Sequence, residues 1–154
     1  MEIVDYRPEH AGAFRALNEA WIAKYFTLES KDREVLADPQ GTIIDKGGRI
    51  FMALEGDEAV GCVALLKLAD GGFEIAKMTV REGLRGSGLG RALLEKCFEA
   101  AVEAGAPRLY LETNSVLGPA LSLYRSMGFK QLNRVRDPAR DYARVDIWME
   151  RALP

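Results

Sequence analysis

Apolar and polar residues alternate along several short stretches in the middle of the chain, which is the pattern of half-buried strands. Three β-type runs cover residues 50–54, 59–68 and 73–80. The segments between them, residues 55–58 and 70–72, are short and rich in Gly, Asp and Glu. Connections of this length join antiparallel neighbours, so the pattern predicts a three-stranded meander.

The strongest helical pattern follows the third of these strands and ends near the sequence Gly-Ala-Pro at 105–107. Its apolar residues recur at spacings of three and four, which places them on one face. They are Leu89, Leu93, Leu94, Cys97, Phe98, Ala101 and Val102.

An alternating run at residues 2–6 predicts an N-terminal strand that leads through Pro8 into a helix. The helix carries an aromatic-rich stripe, which we expect to face the core rather than a ligand. The stripe consists of Phe14, Leu17, Trp21 and Tyr25.

The rest of the chain predicts shorter elements. We expect a strand at 109–113, a helix at 119–127 closed by Gly128, and two last strands at 129–132 and 142–149. Residues 26–48 have a weak pattern with several breakers, and a short helix is all that they suggest.

Composition narrows the class of protein. The 154 residues are 48% hydrophobic, which suits one domain over residues 1–154. A net charge of -2 offers no positive field for nucleic acid, and the apolar runs are far shorter than the roughly 20 residues of a membrane span. We therefore expect a soluble cytoplasmic protein that binds neither nucleic acid nor membrane. Cys62 and Cys97 lack the spacing of a metal site, so we expect buried free thiols and no metal.

A glycine-rich loop at residues 85–90 lies between a predicted strand and the strongest predicted helix. The unpaired N–H groups and positive dipole of a helix start can receive a phosphate, and glycine lets the backbone approach it closely. A Rossmann loop would need glycine where Arg91 stands, and a Walker loop would need Lys followed by Ser or Thr. By itself, the loop is equally consistent with a tight turn that uses glycine only for its backbone freedom.

The pattern Arg-x-x-Gly-x-Gly in this loop resembles the pyrophosphate-binding motif of the Gcn5-related N-acetyltransferases (GNAT). A second block, in the same order as in that family, resembles its Ala-x-x-Leu-Tyr-x-x-x-Gly-Phe signature. It consists of Ala120, Leu123, Tyr124, Gly128 and Phe129. The resemblance implies a GNAT-type α/β (α+β) fold, with a mixed, mostly antiparallel sheet of about seven strands flanked by about four helices.

The same resemblance implies that acetyl-CoA is the cosubstrate. Backbone N–H groups at the end of the third meander strand would polarise the thioester carbonyl, and the loop would hold the pyrophosphate. Leu117 stands where the family commonly has an asparagine that contacts the pantetheine arm, so either Asn114 takes over that contact or it only stabilises a turn. The residues implied are Met78, Thr79, Val80, Arg85, Gly86, Ser87, Gly88, Leu89, Gly90, Arg91 and Asn114.

Acetyl transfer needs a base for the amine and an acid for the departing thiolate. Tyr124 matches the tyrosine that serves as general acid in many relatives, although a packing role is the alternative. Glu74 occupies a strand position where some relatives place the base, while Glu112, a water molecule or a plain structural role for both carboxylates remain open. His10 is expected at the surface.

The acceptor is expected to be a small-molecule amine or a peptide amine, held by residues 21–45 and 134–146. Acidic residues at 29, 32, 34, 38 and 45 alternate with basic ones, which is typical of a solvated face. A non-catalytic acyl-CoA-binding module is the second hypothesis for function. The sequence leaves open whether the protein is a homodimer.

Overall fold

The computed structural model describes residues 1–133 and 142–154, and one mixed sheet runs through both parts. The strands are β1 (Glu2–Asp5), β2 (Arg49–Glu55), β3 (Glu58–Lys67), β4 (Phe73–Val80), β5 (Arg108–Thr113), β6 (Lys130–Leu132) and β7 (Ile147–Ala152). Their order in the sheet is β1-β2-β3-β4-β5-β7-β6. Each neighbouring pair is antiparallel except β4 and β5, which are parallel.

Four α-helices flank this sheet within the described ranges. They are α1 (Ala11–Tyr25), α2 (Ser30–Ala37), α3 (Leu89–Glu103) and α4 (Gly118–Ser126). A 3-10 turn at Pro8–His10 precedes α1, and a π-helical turn at Gln40–Ile44 precedes β2. The predicted fold class, with about seven strands and about four helices, is therefore confirmed.

Helices cover both faces of the sheet because its strands alternate apolar side chains between two cores. On one face Phe14 of α1 and Leu36 of α2 pack with a group of buried residues that includes Met52. On the other face Leu93 of α3 and Leu121 of α4 pack with a second group. The long connection through α3 joins the parallel strands β4 and β5, as a parallel pair requires.

The meander β2-β3-β4 and helix α3 lie within a few residues of their predicted bounds, because both were predicted from long, regular periodicities. The last predicted strand was wrong at its start. Residues 142–146 form a turn, and the strand begins only at Ile147. The Val145 N–H donates to the Tyr142 carbonyl and the Asp146 N–H to the Thr113 carbonyl, so this segment curls back towards the end of β5.

Smaller predictions have mixed outcomes. Cys62 and Cys97 are buried free cysteines, as expected. Val102, placed on the apolar face of α3 by its spacing, is instead 45% exposed because it lies at the edge of that face near the end of the helix. Among the described residues, no helix is long and apolar enough to cross a bilayer, and no group of three or more metal-ligating side chains is present.

Candidate functional site

A cleft of about 810 Å³ opens where strands β4 and β5 diverge. The two strands are paired only between Phe73–Ile75 and Leu109–Leu111, although β4 runs on to Val80 and β5 to Thr113. The ends of these two strands do not pair with each other and therefore leave a wedge between them. The end of α1, the glycine-rich loop, α4 and the residues Tyr142, Arg144 and Val145 complete the walls. A concave site of this volume is of the size that holds a small ligand.

A β-bulge distorts β4 at this wedge. Cys62 pairs with Thr79 and Ala64 pairs with Ala76, so the single residue Val63 lies opposite both Lys77 and Met78. Lys77 has a φ of 52°, and in the described chain it is the one residue other than glycine with a positive φ. The bulge turns the backbone of residues 78–80, and these residues line the cleft.

The glycine-rich loop has the geometry that a phosphate cradle requires. Gly86 and Gly88 adopt φ values of 79° and 88°, which residues with a Cβ atom rarely adopt. Both glycines line the cleft. A Cβ atom added to either residue would meet nothing within 4 Å, so the space beside their backbone is open to a ligand. Gly88 is the N-cap of α3, whose first N–H groups have no partner within the helix. These residues fit a bound pyrophosphate.

Two arginines flank the loop, and the structure gives each a partner. Arg85 donates a hydrogen bond to the Tyr25 hydroxyl at the end of α1, and Arg91 donates one to the Ser126 hydroxyl of α4 at 2.9 Å. Both arginines are exposed and both line the cleft. The Ser87 hydroxyl donates to the Leu84 carbonyl and so closes the turn before the helix.

Tyr124 lies on α4 and faces both the core and the cleft. Its ring packs edge-on against Phe129 with 6.1 Å between centroids, and the residue lines the cleft that the loop and the β4 bulge also line. Burial raises the pKa of Tyr124 to about 12. The phenol therefore stays protonated at neutral pH and is able to donate a proton.

The two candidate bases lie on the opposite side of the cleft from α4. Phe73 and Ile75 pack in the core beneath α3, so strand alternation turns Glu74 towards the face covered by α1. Glu74 is 5% exposed and lines the cleft. Glu112 on β5 also lines it and accepts a hydrogen bond from the Tyr110 hydroxyl at 2.9 Å.

A buried ion cluster adjoins these carboxylates. Asp32 of α2 is fully buried and accepts hydrogen bonds from the Lys77 ammonium at 2.8 Å and from both terminal nitrogens of Arg144 at 2.8 and 2.6 Å. Glu29 accepts another hydrogen bond from Arg144, at 3.3 Å. The Lys77 ammonium also donates to the Tyr142 hydroxyl at 3.3 Å. We call Asp32, Lys77 and Arg144 the Asp32 cluster.

Comparison with known proteins places the chain in a family. The acetyltransferase (GNAT) family model matches residues 13–129. The chain belongs to the GNAT family of acetyltransferases. It is 34% identical over 105 residues to the uncharacterized N-acetyltransferase YvbK of Bacillus subtilis, an alignment that covers 66% of this chain and 68% of the relative.

Solved structures of GNAT proteins share the whole fold. A GNAT-family acetyltransferase from Staphylococcus aureus superposes with a TM-score of 0.91 at 20% identity, covering 99% of both chains. An aminoglycoside 6'-N-acetyltransferase complexed with coenzyme A superposes with a TM-score of 0.74 at 15% identity, covering 99% of this chain and 97% of the other.

Most of the residues predicted from the GNAT motifs come together in one cleft. Met78, Thr79 and Val80, the loop residues Arg85, Gly86, Gly88, Gly90 and Arg91, and the pair Glu74 and Tyr124 all line it. Ser87 and Leu89 do not line it, since Ser87 bonds back to Leu84 and Leu89 is buried in the core.

Asn114 lines the cleft, but its amide is used locally. The side chain donates to the Arg144 carbonyl at 2.7 Å and accepts from the Val116 N–H at 2.8 Å. These bonds favour the turn-stabilising alternative, while a contact of Asn114 with the cosubstrate stays a prediction. His10 is half-buried, and its Nδ1 accepts a hydrogen bond from the Arg7 N–H at the start of the 3-10 turn.

Two interpretations of the N-terminal half were wrong. The stripe on α1 is core only in part, because Phe14 is buried while Trp21 and Tyr25 line the cleft. The acidic run in residues 29–45 is not wholly a solvated face, because Asp32 is fully buried. Of the predicted acceptor segment, residues 134–141 lie outside the described residues.

Sequence reasoning also missed Lys77, and it included Tyr142 and Arg144 only as part of the acceptor segment 134–146. The available signal was weak. Strict alternation would place Lys77 on the same face as the apolar residues Phe73 and Ile75, and a charged residue there indicates a bulge or a buried ion pair.

Proposed function

We propose that this GNAT protein transfers the acetyl group of acetyl-CoA to a primary amine by direct attack, with Tyr124 as general acid. The observation that carries the proposal is the single cleft that joins the glycine-rich loop, the end of β4 that does not pair with β5, and Tyr124. Bound acetyl-CoA would supply an activated thioester. We further propose that residues 1–154 form one catalytic domain, since strands from both ends of the chain meet in one sheet.

Residues of the loop would hold the pyrophosphate. The open space beside Gly86 and Gly88 and the N–H groups at the start of α3 support this role. Arg85 and Arg91 would add positive charge beside it. The loop would thereby fix the register of the cosubstrate along the wedge between β4 and β5.

Backbone N–H groups of residues 78–80 would donate hydrogen bonds to the carbonyl oxygen of the thioester. Charge develops on that oxygen when the amine attacks, so donors that are already in place stabilise the transition state more than the ground state. Residues 78–80 lie on the part of β4 that has no pairing with β5, so N–H groups on that side of the strand are not used by a β4-β5 ladder, which supports the assignment.

Protons would move in two places during the transfer. As the amine nitrogen bonds to the carbonyl carbon and the carbon–sulfur bond breaks, the Tyr124 hydroxyl would give its proton to the departing thiolate. The excess proton on the amine would go to Glu74 or Glu112, directly or through water. Burial of Glu74 in the cleft favours it over a solvated carboxylate for this task.

The acceptor would bind on the side of the cleft that faces α1 and α2. Trp21, Tyr25 and Tyr142 line that side with aromatic rings, and Glu74 and Glu112 add carboxylates. The aminoglycoside 6'-N-acetyltransferase that shares this fold supports a small-molecule amine as the acceptor class. A peptide amine is the second class to test.

Thiol release tests the proposal directly. The protein is incubated with acetyl-CoA and, one at a time, a polyamine, an amino acid, an aminoglycoside or a peptide with a free N-terminus. We expect at least one amine to raise thiol release far above the amine-free rate and to gain an acetyl group by mass spectrometry. Binding of CoA without turnover for any of these amines would instead support the non-catalytic acyl-CoA-binding module.

A further inference from the structure

Lys77 combines two features that are unfavourable in a strand. Its backbone is left-handed, with a φ of 52°, and its side chain is only 7% exposed although it ends in an ammonium group. Residues with a Cβ atom rarely adopt a left-handed backbone conformation, and an ammonium group is rarely buried unless it is paired with an anion. Strained backbone of this kind persists only where surrounding contacts fix it.

The contacts that hold Lys77 come from β3, from α2 and from the turn before β7, where the Tyr142 hydroxyl accepts a hydrogen bond from the ammonium at 3.3 Å. Beneath the bulge, the Cys62 thiol of β3 donates to the Lys77 carbonyl at 3.5 Å. Beyond the end of the side chain, the Asp32 carboxylate of α2 lies 2.8 Å from the ammonium and is fully buried. The backbone and the side chain of this residue are therefore both anchored, and the anchor of the side chain is a charge–charge contact shielded from solvent.

Asp32 has a second partner that ties it to the far wall of the cleft. Arg144 binds the same carboxylate through two nitrogens, a planar geometry that fixes the direction of both groups. Helix α2, the β4 bulge and the turn that precedes β7 thus meet at one carboxylate. The charges of the Asp32 cluster are paired with one another. The cluster is therefore suited to hold the backbone in place rather than to bind a substrate.

We propose that Asp32 is a positioning residue for acetyl transfer, acting through the Lys77 ammonium to fix the backbone N–H groups of residues 78–80. The inference rests on the proposed function, because those N–H groups matter only if they bind the thioester oxygen. A displacement of about 1 Å at such donors lowers catalysis by up to roughly a hundredfold. The Asp32 cluster therefore sets the rate without touching the acetyl group.

Three substitutions test the Asp32–Lys77 contact, with Asp5→Asn as the matched control. Lys77→Met removes the ammonium while Asp32 keeps Arg144. Lys77→Gly removes the ammonium but accepts a φ of 52° without strain. Asp32→Asn removes the shared carboxylate. Asp5 on β1 has an exposed 2.8 Å ion pair with Arg49 of β2, far along the sheet from the cleft, so its loss should leave kcat unchanged.

Steady-state kinetics distinguishes a positioning role of these residues from a purely structural role. We expect Lys77→Met and Lys77→Gly to lower kcat by roughly ten- to a hundredfold while KM for acetyl-CoA changes less than about twofold, because the loop at 85–90 is untouched. The double variant of Asp32→Asn with Lys77→Met should be no slower than the slower single variant. If Lys77→Gly keeps the wild-type kcat, the backbone conformation alone suffices and the inference is overturned.

Amide hydrogen exchange gives a readout that does not depend on turnover. In Lys77→Met, peptides that cover residues 76–80 should exchange roughly tenfold faster than in the wild type, while peptides from 85–91 keep their rates. Unchanged exchange at 76–80 would overturn the inference even if activity fell. Faster exchange in a protein that never consumes acetyl-CoA would keep the anchoring role of Asp32 and reject the proposed function instead.

Discussion

Both Tyr124 and Asp32 are removed from solvent, but the pKa of Tyr124 is raised and that of Asp32 is lowered. The difference arises from the hydrogen-bond partners of the two side chains. Burial by itself raises the pKa of Tyr124 to about 12, so its proton is retained. Burial also acts to raise the pKa of Asp32, but hydrogen bonds from Arg144, Lys77 and the Glu29 N–H outweigh it and hold that pKa well below its usual range. At neutral pH one residue is thus kept as an acid, and the other as an anion.

Replacing Tyr124 with phenylalanine should decide whether this residue acts as a general acid or only packs in the core. The ring that packs on Phe129 is kept and only the hydroxyl is lost, so we expect a kcat roughly a hundredfold lower with little change in melting temperature. Tyr6→Phe is the matched control, since Tyr6 is half-buried beside Phe14 and does not line the cleft. A Tyr124→Phe enzyme within about threefold of wild-type kcat would remove Tyr124 from the mechanism.

The lowered pKa of Asp32 predicts how the stability of the folded protein depends on pH. Its folded-state pKa lies below the ordinary 3.8, so its stabilising contribution is present above about pH 4 and is lost as the pH falls towards the folded value. At pH 6, Asp32→Asn should cost roughly 3–5 kcal/mol, because it leaves two cations without their shared anion. Melting curves from pH 6 to pH 3 should show this difference shrinking. A difference that stays constant with pH would contradict the assignment.

The burial of Asp32 could not be predicted from its neighbours in sequence. Its partners Lys77 and Arg144 are 45 and 112 residues away, and the local pattern of alternating charges is the same for Asp32 as for exposed Glu34 and Asp38. Tyr124 and the glycine-rich loop were predicted because a motif with fixed spacing marks them. A long-range ion pair leaves no such mark.

At the scale of elements, regular periodicity decided what could be predicted. The meander and α3 each contain a long run with one clear period, so their bounds were predicted within a few residues. Helix α2 has eight residues, half of them charged, and was suggested only as a short helix without bounds. The separation of β4 from β5, which creates the cleft, is marked by no pattern within either strand.

Helix α3 offers a matched pair of glycines that tests the loop. Gly88 at its start and Gly105 just past its end have φ values of 88° and 72°, and an added Cβ atom would meet nothing within 4 Å at either position. Valine should therefore destabilise both sites by a similar amount, about 1–2 kcal/mol. Only Gly88 lines the cleft, so only Gly88→Val should also weaken CoA binding, by roughly tenfold or more in calorimetry. Equal affinity in the two variants would leave Gly88 with a turn-forming role alone.

At the scale of the whole molecule, the cleft divides the sheet into two parts that share few direct bonds. Strands β1 to β4 form one antiparallel group and β5, β7 and β6 form the other, joined by only three residue pairs between β4 and β5. Helix α3 and the Asp32 cluster add links across the gap, since Asp32 binds Lys77 of the first group and Arg144 beside the second. A ligand seated in the wedge would contact both groups.

CoA should therefore stabilise the whole protein against heat. A ligand that binds only the folded state adds about 2.7 kcal/mol at a hundredfold excess over its dissociation constant, which corresponds to a rise of roughly 5–11 °C in melting temperature for a chain of this size. Adenosine at the same concentration lacks the pyrophosphate and the pantetheine arm, so it should raise the melting temperature by much less. Gly88→Val should reduce the CoA shift, whereas Gly105→Val, measured from its own lower baseline, should retain it. An unchanged melting temperature at millimolar CoA, with the wild type folded, would contradict the assignment of this cleft to the cosubstrate.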